Sequence, residues 1–120
     1  MQRVVPSIRV RSCPESQLFY EALGFRLEWT HQFEANFPIV ASVSMDGMRV
    51  FLTEHIGDCQ FGALVHFYVP DVDALYASFQ DAGVAVAEPP NNGLGADLRC
   101  MSLLDPDGNR LKFLTVDEAH

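Results

Sequence analysis

Two short apolar segments carry side chains that could move protons or hold charge: His66 and Tyr68 within 64–69, and Arg110 and Lys112 within 110–116. Alternate residues of an extended strand share a face, so each pair would point to one side of a sheet. Two chemistries suit such a set. His66 could act as a general acid or base with Tyr68 or Lys112 as partner, while Arg9, Arg110 and Lys112 suit a carboxylate or phosphate. Metal chemistry is poorly served. His66 has no HxH or HxxxH partner, and His31, His55 and Glu54 lie in other segments. Cys13, Cys59 and Cys100 show no CxxC spacing, and their odd count argues against a closed disulfide framework.

The elements that must position these residues follow from the stretch Leu103 to Leu114. Asp105, Pro106, Asp107, Gly108 and Asn109 form a turn cluster between two apolar runs, which predicts a hairpin. The chain repeats this pattern. Asp46, Gly47 and Arg49 to Leu52 echo Asp107, Gly108 and Arg110 to Phe113, and Phe19 to Phe25 echoes Ser78 to Val84. Two echoes at nearly one offset indicate a duplicated unit of about sixty residues.

Each unit reads as βαβββ. In the first, spanning 4–54, a strand over Val4 to Arg11 precedes a helix capped by Ser12 and stopped at Gly24; strands follow at Arg26–Thr30, Ile39–Met45 and Arg49–Thr53. Pro6 cannot donate to a ladder, so it marks a strand start, an edge or a crossing between subunits. The second unit, 62–116, has a strand at Leu64–Val69 and a helix capped by Asp71 or Asp73 and ended at Gly83. Strands at Val84–Ala87, Leu98–Leu104 and Arg110–Val116 complete it, and Glu88 to Asp97, with two prolines and no periodicity, reads as a mobile loop. Alternation assigns Ile8, Val10, Val50, Leu52, Val65, Phe67, Val69, Met101, Leu103, Leu111 and Phe113 to a core. The opposite face carries Val5, Ser7, Arg9, Phe51, Thr53, Leu64, His66, Tyr68, Leu98, Cys100, Ser102, Arg110, Lys112 and Leu114, a mixed lining suited to a ligand cup.

With 120 residues, 48% hydrophobic and 20% charged, the chain is expected to be one ordered α+β domain. Sixteen acids against eight bases give a net charge of −8, which opposes non-specific nucleic-acid binding and would attract a cationic small molecule. No signal peptide or apolar run of membrane-spanning length is evident, so a cytoplasmic location is expected.

Leu18-Phe19-Tyr20 followed by Leu23-Gly24-Phe25, Val69-Pro70-Asp71-Val72 with Leu75, and Asp105-Pro106-Asp107-Gly108-Asn109 together resemble the vicinal oxygen chelate superfamily of glyoxalases, extradiol dioxygenases and bleomycin-resistance proteins. The resemblance covers nearly the whole chain and is nearest to the bleomycin-resistance branch. It implies paired βαβββ modules forming an open curved sheet, and a dimer with an exchanged N-terminal strand hooked at Pro6. It also places the metal ligands of the enzymes at Val5, Phe51, Leu64 and Lys112. Three of these are hydrocarbon and the fourth is a cation, so no metal or other cofactor is expected there. What the resemblance then implies is a metal-free homodimer that sequesters a small molecule akin to bleomycin, held by Arg9, Trp29, Phe33, Phe37, Phe51, His66, Tyr68, Arg110 and Lys112, with no catalytic residue. The alternative is a glyoxalase- or dioxygenase-type enzyme with a non-standard active site acting on a small metabolite.

Overall fold

The computed structural model of the chain describes residues 2–116. The first repeat contains β1 (Ser7–Arg9), α1 (Cys13–Leu23), β2 (Arg26–His31), β3 (Val40–Met45) and β4 (Met48–Thr53). The second contains β5 (Leu64–Tyr68), α2 (Val72–Asp81), β6 (Glu88–Asn91), β7 (Leu98–Leu104) and β8 (Arg110–Val116). Each repeat folds into its own four-stranded mixed sheet, ordered β1-β4-β3-β2 and β5-β8-β7-β6. In both sheets the first and last strands of the repeat pair in parallel and the remaining ladders are antiparallel.

The helices start where the sequence supplies caps. Ser12 accepts from the Glu15 amide at 3.3 Å and Asp71 accepts from the Ala74 amide at 3.1 Å, each satisfying a donor that the helix itself leaves unpaired. Pro14 sits in the first turn of α1, where its missing N–H costs nothing. Gly24 ends α1 at φ 110°, a left-handed conformation that would strain a side chain. A Cβ there would also meet the Met45 sulfur at 3.2 Å. Asp46 and Gly47, at φ 50° and 83°, close the β3–β4 hairpin. This doubly left-handed turn matches the twist of the strands it joins.

One core unites the repeats. Ile8, Val10, Tyr20, Val50 and Leu52 from the first pack with Phe67, Phe79, Met101, Leu103, Leu111 and Phe113 from the second, all buried, with Val65 and Val69 partly buried against them, so the alternation holds for the core face; Thr53 and Leu114, expected on the open face, are buried too. Rings carry the junction: Phe25 meets Phe67 edge-on at 5.7 Å, and Phe67 stacks on Phe113 at 4.8 Å. Both are favoured geometries for aromatic pairs. The Asp105–Asn109 turn seals the junction. Asp105 accepts from the amides of Asp107 and Asn109, from Asn109 Nδ2 and from the Tyr20 hydroxyl; Asn109 in turn donates to the Arg9 carbonyl and accepts from the Gly62 and Ala63 amides.

Two expectations need correction. The strand predicted at Val84–Ala87 lies instead at Glu88–Asn91, inside the segment read as a mobile loop. Pro89 and Pro90 hid it, because they have no N–H to give. β6 is an edge strand that pairs only at Glu88 with Ser102 and Asn91 with Cys100, with an irregularity between. The first strand is also shorter than Val4 to Arg11. Pro6 stands just before it, on the sheet edge, and its carbonyl accepts from the Phe51 amide at 2.9 Å.

Candidate ligand-binding faces

Each sheet covers the core with one face and leaves the other open, and the registers show which side chains meet there. Across the first open face one row runs Ser7, Phe51, Ser42, Trp29. Trp29 and Phe51 come together at 5.2 Å with their planes tilted by 58°, and Trp29 is 44% exposed. Beside them an irregularity in β2 turns Glu28 onto this face. There Glu28 accepts from Ser42 Oγ at 2.6 Å and from Arg49 Nη2 at 2.8 Å. The Arg49 hydrogen bonds, aided by Ser42, hold the Glu28 carboxyl down at about 2, since they favour its charged form. A cavity of about 530 Å3 opens beside Trp29, Thr30, His31 and Val40.

The second face carries the corresponding row His66, Lys112, Ser102, Glu88. The row beside it runs Tyr68, Leu114, Cys100, Asn91. A smaller cavity of about 220 Å3 lies over Glu88, Cys100, Ser102 and Lys112. Burial raises the Cys100 thiol, while Lys112 pulls it down and Glu88 pushes it up, so both charges act at this cavity.

The residues read from the sequence as one ligand set therefore occupy several places. Trp29 and Phe51 share the first face; His66 and Lys112 are cross-strand neighbours on the second, with Tyr68 one row away and 66% exposed. Arg110 stands at the exposed start of β8 beside Leu64. Arg9 donates to the His55 carbonyl at 3.1 Å and lies over the Phe61 ring at 4.6 Å, a cation–π contact. Phe33 and Phe37 belong to the exposed β2–β3 connection, where Phe33 packs edge-on against His31 at 4.6 Å and the Phe37 carbonyl accepts from Gln32. Glu54, which the sequence places apart from His66, accepts from the Cys13 and Ile39 amides and ties the start of α1 to the segment leading into β3. Sequence reasoning missed Glu88, Glu28 and Ser42. The repeat held the signal for one of them, since Glu88 follows Trp29 at the same spacing as His66 follows Ser7.

The positions at which the resemblance would place metal ligands do not fit a divalent cation here. Phe51 pairs with Ser7, Lys112 with His66, and Leu64 with Arg110, while Val5 precedes β1. None of the four offers a donor atom suited to a metal. Among the described residues no three His, Cys, Asp or Glu side chains cluster to hold an ion, and no helix is long and apolar enough to cross a membrane.

Two βαβββ repeats around a shared core, each with an open sheet face, define a paired-module fold. The family described as glyoxalase superfamily protein matches residues 1–119, and the chain belongs to that superfamily, whose wider name is vicinal oxygen chelate. The fold is shared with a bleomycin-binding protein, at 17% identity and a TM-score of 0.73 over 96% of this chain and 98% of that one. TnmS3, an antibiotic binding protein from Streptomyces sp. CB03234, is similar at 25% identity and a TM-score of 0.78 over 97% of each chain. The bleomycin resistance determinant of transposon Tn5 superposes with a TM-score of 0.78 at 17% identity, covering 98% of this chain and 99% of that one. A glyoxalase/bleomycin resistance/dioxygenase superfamily member from Sphaerobacter thermophilus matches at 22% identity and a TM-score of 0.72, covering 96% and 98%. None of the curated proteins matches the chain significantly.

Proposed function

We propose that the chain is a metal-free small-molecule binder that protects by sequestration, with a bleomycin-type antibiotic as the ligand to test first. The observation that carries this reading is the Trp29–Phe51 pair, two rings 5.2 Å apart on an open sheet face beside a cavity of about 530 Å3. That volume is in the range of small-molecule pockets, roughly 300–1,000 Å3. Sequestration needs affinity and enough protein, not a catalytic pair. The similarity to an antibiotic binding protein supports the same reading, and a net charge of −8 would draw in a cationic ligand. The protein in this reading is a cytoplasmic homodimer, each chain built of modules 4–54 and 62–116, with an exchanged N-terminal strand and no cofactor.

Isothermal titration with bleomycin tests it. Binding should be saturable, and Trp29→Ala and Phe51→Ala should each weaken it by about 1 kcal/mol through lost ring contact. Absence of binding at tens of micromolar would reject the antibiotic as ligand. One equivalent of transition metal in protein purified without chelator would instead favour the enzyme reading, for which the cross-strand pair His66 and Lys112 supplies an acid–base couple.

A further inference from the structure

Four of the cationic side chains are half-buried: Arg9, Arg49, Arg99 and Lys112. Three of them are already engaged. Arg49 is held by Glu28, Arg99 by Asp73 and Asn92, and Arg9 by the His55 carbonyl and the Phe61 ring. Lys112 has no carboxylate, carbonyl or hydroxyl partner among the described residues. A half-buried lysine with three donors and no protein acceptor among the described residues is poised for a ligand anion.

Its surroundings narrow the class of that ligand. Ser102 is the cross-strand neighbour of both Lys112 and Glu88, and its side chain lines the same cavity with no protein partner among the described residues. Glu88, on the far wall, can only accept when ionised. The opposite charges of Lys112 and Glu88 offset each other, so a monoanion with a donor of its own is favoured over a phosphate dianion, which Glu88 would repel. The cavity, at about 220 Å3, is below the usual range for drug-sized ligands and admits a small acid or one end of a larger molecule.

We infer that this cavity is a subsite for the carboxylate of a small organic acid bearing a neighbouring hydroxyl, with Lys112 and Ser102 donating to the carboxylate and Glu88 accepting from the hydroxyl. The inference rests on the reading of the open faces as ligand faces, and places an acid-binding point on the face opposite in character to the aromatic one. It requires neither metal nor turnover.

Nuclear magnetic resonance titration of the full-length, nitrogen-15-labelled protein with mandelate tests it. Mandelate should shift the amides of Cys100, Ser102 and Lys112 saturably. Mandelamide, which lacks the charge, should bind roughly tenfold or more weakly, as expected for loss of a charge-assisted hydrogen bond, and phenyl phosphate should also bind more weakly than mandelate, because Glu88 repels its second negative charge. Lys112→Met should weaken mandelate similarly and Lys112→Arg should retain it, while Glu88→Met, which leaves no oxygen to accept from the hydroxyl, should erase the preference for mandelate over phenylacetate. Unsaturable shifts with mandelate, equal binding of mandelamide, tighter binding of phenyl phosphate, or unchanged affinity in Lys112→Met would each overturn the inference. The comparison between ligands in the unmodified protein does not depend on any variant folding. Bleomycin binding sensitive to Trp29 and Phe51, without a mandelate response, would leave the sequestration reading standing and this one refuted; the converse result would do the opposite.

Discussion

The Tyr20 hydroxyl donates to the Asp105 carboxylate at 3.0 Å, joining α1 of the first repeat to the β7–β8 turn of the second across 85 residues of sequence. Both side chains are buried. Burial and the adjacent carboxylate push the Tyr20 phenol well up, so it stays protonated and donates. Tyr20→Phe should therefore cost about 1.5–3 kcal/mol, the usual worth of a hydrogen bond to a charged group. Urea unfolding would show a lower midpoint with an unchanged slope, because the same surface is exposed on unfolding. An unshifted midpoint would mean that the turn's own amides satisfy Asp105 without the tyrosine.

Glu28 gives the fold a predictable acid response. Its carboxyl is held at about 2 in the folded chain against an ordinary value of 4.5, first by hydrogen bonds from Arg49 and then by Ser42. A depressed folded value contributes stability that is present above the unfolded value and lost as pH falls through the folded one. Glu28→Gln should thus be less stable than the parent at neutral pH, and the gap should close between about pH 4.5 and pH 2. Urea midpoints of the two proteins at pH 7 and pH 3 read this directly. A gap that stays constant with pH would assign the loss to packing and not to the ion pair.

Much of this architecture was legible because local signals agreed with the repeat. Ser12 and Asp71 cap the helices, Gly24 stops α1, and Asp46-Gly47 closes a hairpin, each by chemistry confined to a few residues. What stayed hidden depends on partners distant in sequence. β6 is stabilised as a strand by β7 despite two prolines, so no period-two pattern marks it. Asp105 and Asn109 read as turn formers, yet their side chains also bind Tyr20, Arg9, Gly62 and Ala63. The candidate site was legible as a face and not as a constellation. Alternation places Phe51 and Lys112 on open faces, but only the two separate sheets show that Trp29 keeps company with Phe51, and Glu88 with Lys112.

The proposed dimer would cover what the single chain leaves open. β1 and β5 are edge strands of three and five residues. Apolar side chains stand in solvent nearby, with Val4 at 93%, Leu64 at 52% and Tyr68 at 66% exposure. Unpaired edges next to apolar surface favour association with a second copy. Sedimentation equilibrium at micromolar concentration should give twice the chain mass. Removing residues 1–5 should shift the equilibrium toward monomer if the N-terminal segment crosses between subunits. A monomer before truncation would remove the homodimer from the proposed function.

The three cysteines should differ sharply in reactivity. Cys13 is 2% exposed, and its thiol contacts the Leu52 carbonyl at 3.3 Å and the Ile39 carbonyl at 3.4 Å. Burial first, and then the Glu54 carboxylate, push it up to about 12, which leaves almost no thiolate at neutral pH. Cys100 is 5% exposed and is likewise raised by burial. Cys59 is half-buried in the connection between the repeats, where its sulfur only grazes the Ser7 carbonyl at 3.7 Å. The thiolate is the attacking species and must also reach the reagent, so access orders these sites as well as charge does. A disulfide-exchange reagent at pH 7.5 should modify one thiol per native chain quickly. Cys59→Ser should abolish that phase, and all three thiols should react in denaturant. Fast modification of Cys13 in the native protein would show that the start of α1 opens away from β4 far more readily than its hydrogen bonds to Glu54, Leu52 and Ile39 imply.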